Sequence, residues 1–172
     1  GLIKNKWINL GYEHSTVGYP VTDESDAGSG NGSRFNDFQH GTIIWKNGTG
    51  EAFAVWGPIL QKWSEVNRDS GPLGFPITDQ FDVDTNERQN KFEGGTIWHT
   101  GKYGANILFN NQVCVTNDTG LDVTVRFYNP GDIATIGLSF PLPDGEKTVP
   151  ANSSLVWTLP AGVSIVKATF NG

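Results

Sequence analysis

The chain has 172 residues, of which 37% are hydrophobic and only 17% charged, with 22 glycines, 9 prolines and a formal net charge of -6. Few charges, many turn-formers and many aromatics argue for short strands joined by tight turns, and against long helices or disorder. The acidic balance and the lack of a Lys/Arg run disfavour a nucleic-acid partner, and no apolar stretch approaches the ~20 residues that cross a bilayer as a helix.

Taken in chain order, Ile3 and Trp7 come first, four residues apart, which places both on one face of a short helix. Val17-Gly18-Tyr19-Pro20 then requires a turn, because glycine permits positive φ and proline fixes φ near about −65°. After a polar stretch, Phe38-Gln39-His40-Gly41-Thr42-Ile43 reads as a strand with Trp45 close behind. Asn47-Gly48 is a tight-turn signal, and Glu51-Ala52-Phe53-Ala54-Val55-Trp56 returns as the partner strand.

At Gly57 the pattern begins again. Gly1–Trp7 falls on Gly57–Trp63 and Val17–Asp23 on Leu73–Asp79, both at a shift of 56. Arg34–Ile43 falls on Arg88–Ile97 at a shift of 54. The difference lies in the polar stretch between the blocks, where a change of loop length costs little. One unit of helix, turn, loop and hairpin therefore occurs twice, at 1–56 and 57–106. Pro58 suits the start of the second helix.

The blocks Ile-x-x-Lys-Trp, Leu-Gly-Phe-Pro at 73–76 and Arg-x-Asn-x-Phe-x-x-Gly-x-Ile, in this order, resemble the LGFP repeat; the first copy reads Val-Gly-Tyr-Pro at 17–20. The resemblance covers about residues 1–106. It implies a module of cell-envelope and secreted proteins whose task is attachment to cell-wall glycan. Arrays of the family often hold more copies, frequently beside a hydrolase domain that this chain lacks, so binding is implied more than catalysis.

From Ile107 the texture changes. Segments at 112–115, 123–128, 136–140, 154–158 and 163–170 read as strands, punctuated by turn signals at 117–120, 129–132, 143–145 and 160–162. This predicts a small antiparallel β-sandwich over 107–172. The texture is similar to small β domains of fungal secreted proteins, an analogy of fold alone. With only ~65 residues its core would be thin, so the expectation is a mainly β chain with short helices, two helix-turn-hairpin repeats and the sandwich packed as one compact unit.

Catalytic signatures are missing. The histidines are His14, His40 and His99, no Gly-x-Ser-x-Gly elbow occurs, and Cys114 lies in an apolar strand-like run that predicts a buried, inert thiol. As the only cysteine it permits no internal disulfide. Zinc ligand spacings are absent too. Asp82-x-Asp84-x-Asn86 followed by Glu93 has the oxygen spacing of a calcium loop, but Glu87 stands where the sharp turn needs glycine. A solvated polar loop is the expected reading, and no cofactor is assigned.

The aromatics say more, since Trp7, Trp45, Trp56, Trp63 and Trp98 all lie in the repeats. Trp7, Trp56 and Trp63 read as core anchors. Trp45 and Trp98 stand one position apart in repeat register and so should face opposite sides of their hairpins. Sugar rings stack on exposed aromatics while planar polar groups fix their hydroxyls. The candidate ligand-binding residues are therefore Asp37, His40, Trp45, Asn47, Glu93, Trp98, His99 and Tyr103. Arg34/Asn36 and Arg88/Asn90 read as structural, with the arginines bridging toward Asp23 and Asp79 or nearby carbonyls.

The function expected is that of a secreted, non-catalytic, lectin-like protein at a cell wall or cell surface, with a glycan or polysaccharide as partner and homo-oligomers left open. Sequons at Asn31, Asn47, Asn117 and Asn152, and a chain that begins at Gly1 without any methionine, fit a mature secreted product. The alternative is a protein–protein module such as an inhibitor, toxin component or structural wall protein.

Overall fold

The computed structural model describes residues 1–117, 120–121, 123–128 and 141–158. It divides the chain into two units, Gly1–Asn110 and Asn111–Gly172. The first unit contains one succession of elements twice. Helix α1 (Leu2–Leu10) and a 3₁₀ turn (Tyr12–His14) precede strands β1 (Ser25–Asp26), β2 (Arg34–Asp37), β3 (Gly41–Trp45) and β4 (Ala52–Trp56). Helix α2 (Gly57–Glu65) and a 3₁₀ turn (Arg68–Ser70) precede β5 (Phe81–Asp84), β6 (Glu87–Phe92), β7 (Gly95–Thr100) and β8 (Gly104–Phe109). Each set of four strands forms an antiparallel sheet in chain order.

The recurring motif residues explain the recurring geometry. Each helix ends in two left-handed residues, Gly11 and Tyr12 in the first copy, Asn67 and Arg68 in the second. The helix tryptophans then reach past this turn: Trp7 Nε1 donates to Gly18 O at 3.0 Å and Trp63 Nε1 to Gly74 O at 3.2 Å. Gly18 and Gly74 carry φ of 76° and 65°, and a Cβ at either would press on the side chain of Gln39 or Glu93. Glycine is therefore needed twice over at the motif's second position. Pro20 and Pro76 bridge to Phe38 and Phe92, so the turn is stitched to the hairpin. Asn36 and Asn90 donate to Thr22 O and Thr78 O, the structural role expected of them. Arg34 donates to a neighbouring carbonyl as expected, Nη2 to Glu24 O at 2.9 Å, but the carboxylates the arginines bind are Glu24 and Asp26 for Arg34 and Asp82 for Arg88, not Asp23 and Asp79. Asp26 and Asp82 lie on the neighbouring strands β1 and β5, within reach of a β2 or β6 arginine, whereas Asp23 and Asp79 lie upstream of those strands.

Alternation along β3 and β4 gives the first sheet two apolar faces. Ile43, Trp45, Ala52, Ala54 and Trp56 pack with Ile3 and Trp7 of α1. Ile44 and Val55 join Ile59, Trp63, Leu73, Phe75, Phe92 and Ile97 in a second core. Helix α2 is thus flanked by the sheet before it and the sheet after it, which is why Trp63 is wholly buried while Trp7 is half-buried.

The copies are also tied by polar contacts. Asp79 accepts from Lys6 Nζ and from Ala54 N, both at 2.8 Å. Lys46 pairs with Glu93. With its amide oriented to satisfy both partners, Gln80 donates to Trp56 O at 3.0 Å and accepts from Trp56 Nε1 at 3.2 Å. Asp79 is therefore a clasp between copies.

The repeat region reaches further than the sequence boundary at 106. Ile107 and Phe109 are in β8, paired with Ile97 and Gly95, and the first unit closes at Asn110. In the second unit, β9 (Gln112–Asn117) pairs with β12 (Ser153–Thr158), and β10 (Val123–Tyr128) with β11 (Pro141–Val149), all antiparallel. Pro143-Asp144-Gly145 forms an irregularity within β11, opposite Arg126–Tyr128, instead of the expected turn between strands. The predicted strands at 136–140 and 163–170, the turns at 129–132 and 160–162, and the side chain of Cys114 lie outside the described residues.

Candidate functional site

A cavity of the first unit opens between the two copies, with a volume of about 610 Å³, within the range of small-molecule sites. One wall comes from the first sheet through Asp26, Gly28, Phe35, Thr42 and Ile44. The other comes from the end of α2 and its 3₁₀ turn through Trp63, Ser64, Asn67, Arg68, Asp69 and Ser70. Both sides are placed by backbone geometry. Phe35 pairs with Ile44 across β2 and β3, so the two share one face of the sheet. The left-handed Asn67–Arg68 pair swings the 3₁₀ turn toward that face.

The floor is apolar and the rim polar. Arg68 lies over Phe35, its guanidinium carbon 6.0 Å from the ring centroid, at the edge of cation–π range. Two neighbours hold it: Asp37 accepts from Nη1 at 3.2 Å and Ser64 Oγ from Nε at 3.1 Å. Asp37 also accepts from Thr42 Oγ1 at 2.5 Å. Across the mouth, Asp69 Oδ2 accepts from Ser29 N at 2.8 Å. The arrangement offers a planar guanidinium, carboxylates, hydroxyls and an amide around an aromatic surface. Ser64 Oγ donates to Leu60 O at 2.8 Å, the bond of a helical serine to its own backbone.

Of the residues singled out in the sequence, Asp37 meets this cleft through its bonds to the lining residues Arg68 and Thr42, and the others are elsewhere. Trp45 lies on the α1 side of the first sheet, its Nε1 donating to Thr49 O at 2.9 Å. Asn47 braces the preceding loop, with Nδ2 donating to Asn31 O at 2.9 Å. His40 is exposed, and its backbone joins Val17 and Gly57. Glu93 pairs with Lys46 and accepts from Phe75 N at 3.3 Å. Trp98 and His99 are half-buried on β7; Trp98 points to the face of its sheet opposite Ile97, so the two tryptophans do occupy opposite faces of their hairpins. Tyr103 lies in the β7–β8 turn beside Lys102. The Asp82–Asn86 stretch spans the β5–β6 hairpin: Asp82 binds Arg88, Asp84 caps Thr85 N, and Glu93 is held by Lys46. Among the described residues no group of three or more His, Cys, Asp or Glu is placed to hold a metal ion, and no helix is long and apolar enough to cross a membrane.

Phe35, Asn67, Arg68 and Asp69 escaped the sequence reading. A signal for them existed in the repeat itself. The 3₁₀ turn reads Tyr12-Glu13-His14 in the first copy and Arg68-Asp69-Ser70 in the second, so this is a place where the copies share backbone but not chemistry.

Comparison with protein families matches residues 17–71 to the LGFP repeat. The matched segment spans one repeat length, from the Val-Gly-Tyr-Pro turn through the first sheet and α2 to the end of the second 3₁₀ turn. It contains both walls of the cleft, and the Leu-Gly-Phe-Pro turn at 73–76 follows it directly. Comparison with curated proteins gives no match.

Proposed function

We propose, from the LGFP repeat at 17–71 and the cleft that this segment encloses, that the protein is a secreted, non-catalytic carbohydrate-binding protein of lectin type, directed at cell-wall or cell-surface glycans. The observation that carries the reading is Arg68, held by Asp37, lying over Phe35. An aromatic surface takes the C–H face of a sugar ring, and a held guanidinium and carboxylate bond its hydroxyls in a set direction. Burying ~100 Å² of apolar surface in this way gives roughly 2.5 kcal/mol before entropic costs. Such a site is weak alone and is suited to polyvalent glycan, where avidity adds.

A glycan-array screen with and without calcium, followed by titration of the hits, tests the proposal. Phe35→Ala and Arg68→Ala should each weaken binding about tenfold or more, a loss of about 1.4 kcal/mol. A blank array in both buffers, together with a blank wall-polysaccharide pull-down, sinks it.

A second reading has its own support. Val21 and Ile77 occupy equivalent positions and are 60% and 50% exposed, beside an exposed Tyr19. An apolar position repeated along one side of a tandem array suits a protein partner. Val21→Ser/Ile77→Ser should abolish capture of such a partner while leaving glycan binding intact.

A further inference from the structure

At one point the two copies place equivalent residues in unlike surroundings. In the second copy Ile59, Trp63 and Asn90 are fully buried and Gln80 is 8% exposed. The first copy helps seal this place: Trp56 is hydrogen-bonded in both directions to Gln80, and Ala54 N and Lys6 donate to Asp79. The counterparts in the first copy are Ile3, Trp7, Asn36 and Glu24; there Trp7 and Asn36 are half-buried and Glu24 is exposed. Two pockets of about 270 and 210 Å³ open over them, sharing Ile3 and Glu24.

The exchanges between copies fall around these pockets. Trp45 stands where the second copy has His99, Glu24 where it has Gln80, and Lys4 where it has Leu60. Trp45, Glu24 and Arg34 line the larger pocket. Arg34 is fixed by three acceptors: Nε donates to Glu24 Oε1 at 3.2 Å, Nη2 to Glu24 O at 2.9 Å, and Nη1 to Asp26. The bonds to Asp26 and then Glu24 raise its pKa above the ordinary arginine value, so its charge is constant at any physiological pH.

Another repeat would seat poorly here. Glu24 can accept from an indole N–H but cannot donate to a carbonyl as Gln80 does, and Lys4 replaces the apolar contact of Leu60. A small polar ring meets neither objection. We propose that this face is a second saccharide pocket, in which one neutral sugar ring lies against Trp45 and hydrogen-bonds to Glu24 and Arg34, an inference that rests on the carbohydrate reading of the protein. Neutrality follows from the charge balance, because Arg34 is already matched by two carboxylates. The pocket volume suits one ring, being below the range of drug-sized sites.

Native mass spectrometry of the whole chain with chitotetraose, cellotetraose, laminaritetraose and mannotetraose reads the stoichiometry. The expected result is two molecules of one of these per chain. Trp45→Ala should lose one molecule and keep the other, and Phe35→Ala the reverse. Glu24→Ala, at an exposed position that leaves the core intact, should weaken the Trp45-dependent molecule tenfold or more. A single molecule lost with Phe35→Ala and indifferent to Trp45→Ala and Glu24→Ala overturns the second pocket and leaves the cleft. A single molecule with the opposite dependence upholds the pocket and removes the cleft. Two molecules indifferent to both pocket variants overturn the pocket, and no binding of any probe overturns pocket and carbohydrate reading together.

Discussion

Asp23 and Asp79 follow the same Pro-x-Thr sequence, yet they do different work. Asp79 satisfies Ala54 N and pairs with Lys6 across the copies, whereas the Asp23 side chain has no hydrogen bond among the described residues. The carboxylate of Asp79 is one-third exposed, so the ion pair itself adds little. The bond to the buried Ala54 N–H matters more, since the desolvation of that donor is uncompensated once the acceptor is gone. Asp79→Ala should therefore cost about 1–3 kcal/mol in urea unfolding, and Asp23→Ala no more than about 0.5 kcal/mol. The carboxylates of the β5–β6 hairpin are engaged by separate partners, Asp82 by Arg88, Asp84 by Thr85 and Glu87 by Gln89. Chelation should accordingly leave the melting temperature unchanged; a drop on adding EDTA would refute this account of the hairpin.

The helices carry equivalent tryptophans with unequal burial. Trp63 lies between two sheets, 5.4 Å from Phe92 by ring centroids, and is wholly buried. Trp7 packs on one sheet and meets Tyr12 edge-on at 5.3 Å. Removing Trp63 leaves a cavity bounded by both copies, and Trp63→Ala should cost about 3–5 kcal/mol. Trp7→Ala should cost clearly less, because part of its surface is already in water. Equal losses in parallel denaturation series would contradict the placement of α2 between the sheets. Both helices and the β3–β4 hairpin were legible from apolar spacing and turn residues, whereas β1, β2, β5 and β6 lie in stretches that read as polar loop, because most of their side chains are polar. The strand content of β11 was not legible either, because Pro143-Asp144-Gly145 is a turn signal that an antiparallel pair absorbs as an irregularity.

For the whole molecule the division at Asn110 matters most. Residues 1–110 hold both apolar cores described above and should unfold as one cooperative transition when expressed alone, retaining the cleft. Residues 1–56 alone should not fold stably, since Ile44 and Val55 would lose α2 and face water. Circular dichroism melts of the two fragments check both expectations. The repeat was determined by the sequence itself: Ile, Trp and Gly-aromatic-Pro recurring at a shift of 56 and Arg-x-Asn at 54 give each copy the same Trp-to-Gly and Asn-to-Thr hydrogen bonds, and these need nothing distant. The cleft, the Asp79 clasp and the contrast between sealed Gln80 and open Glu24 were decided only by tertiary structure. They arise where one copy meets the next, and a residue's partner across that junction lies tens of positions away, where no local periodicity records it.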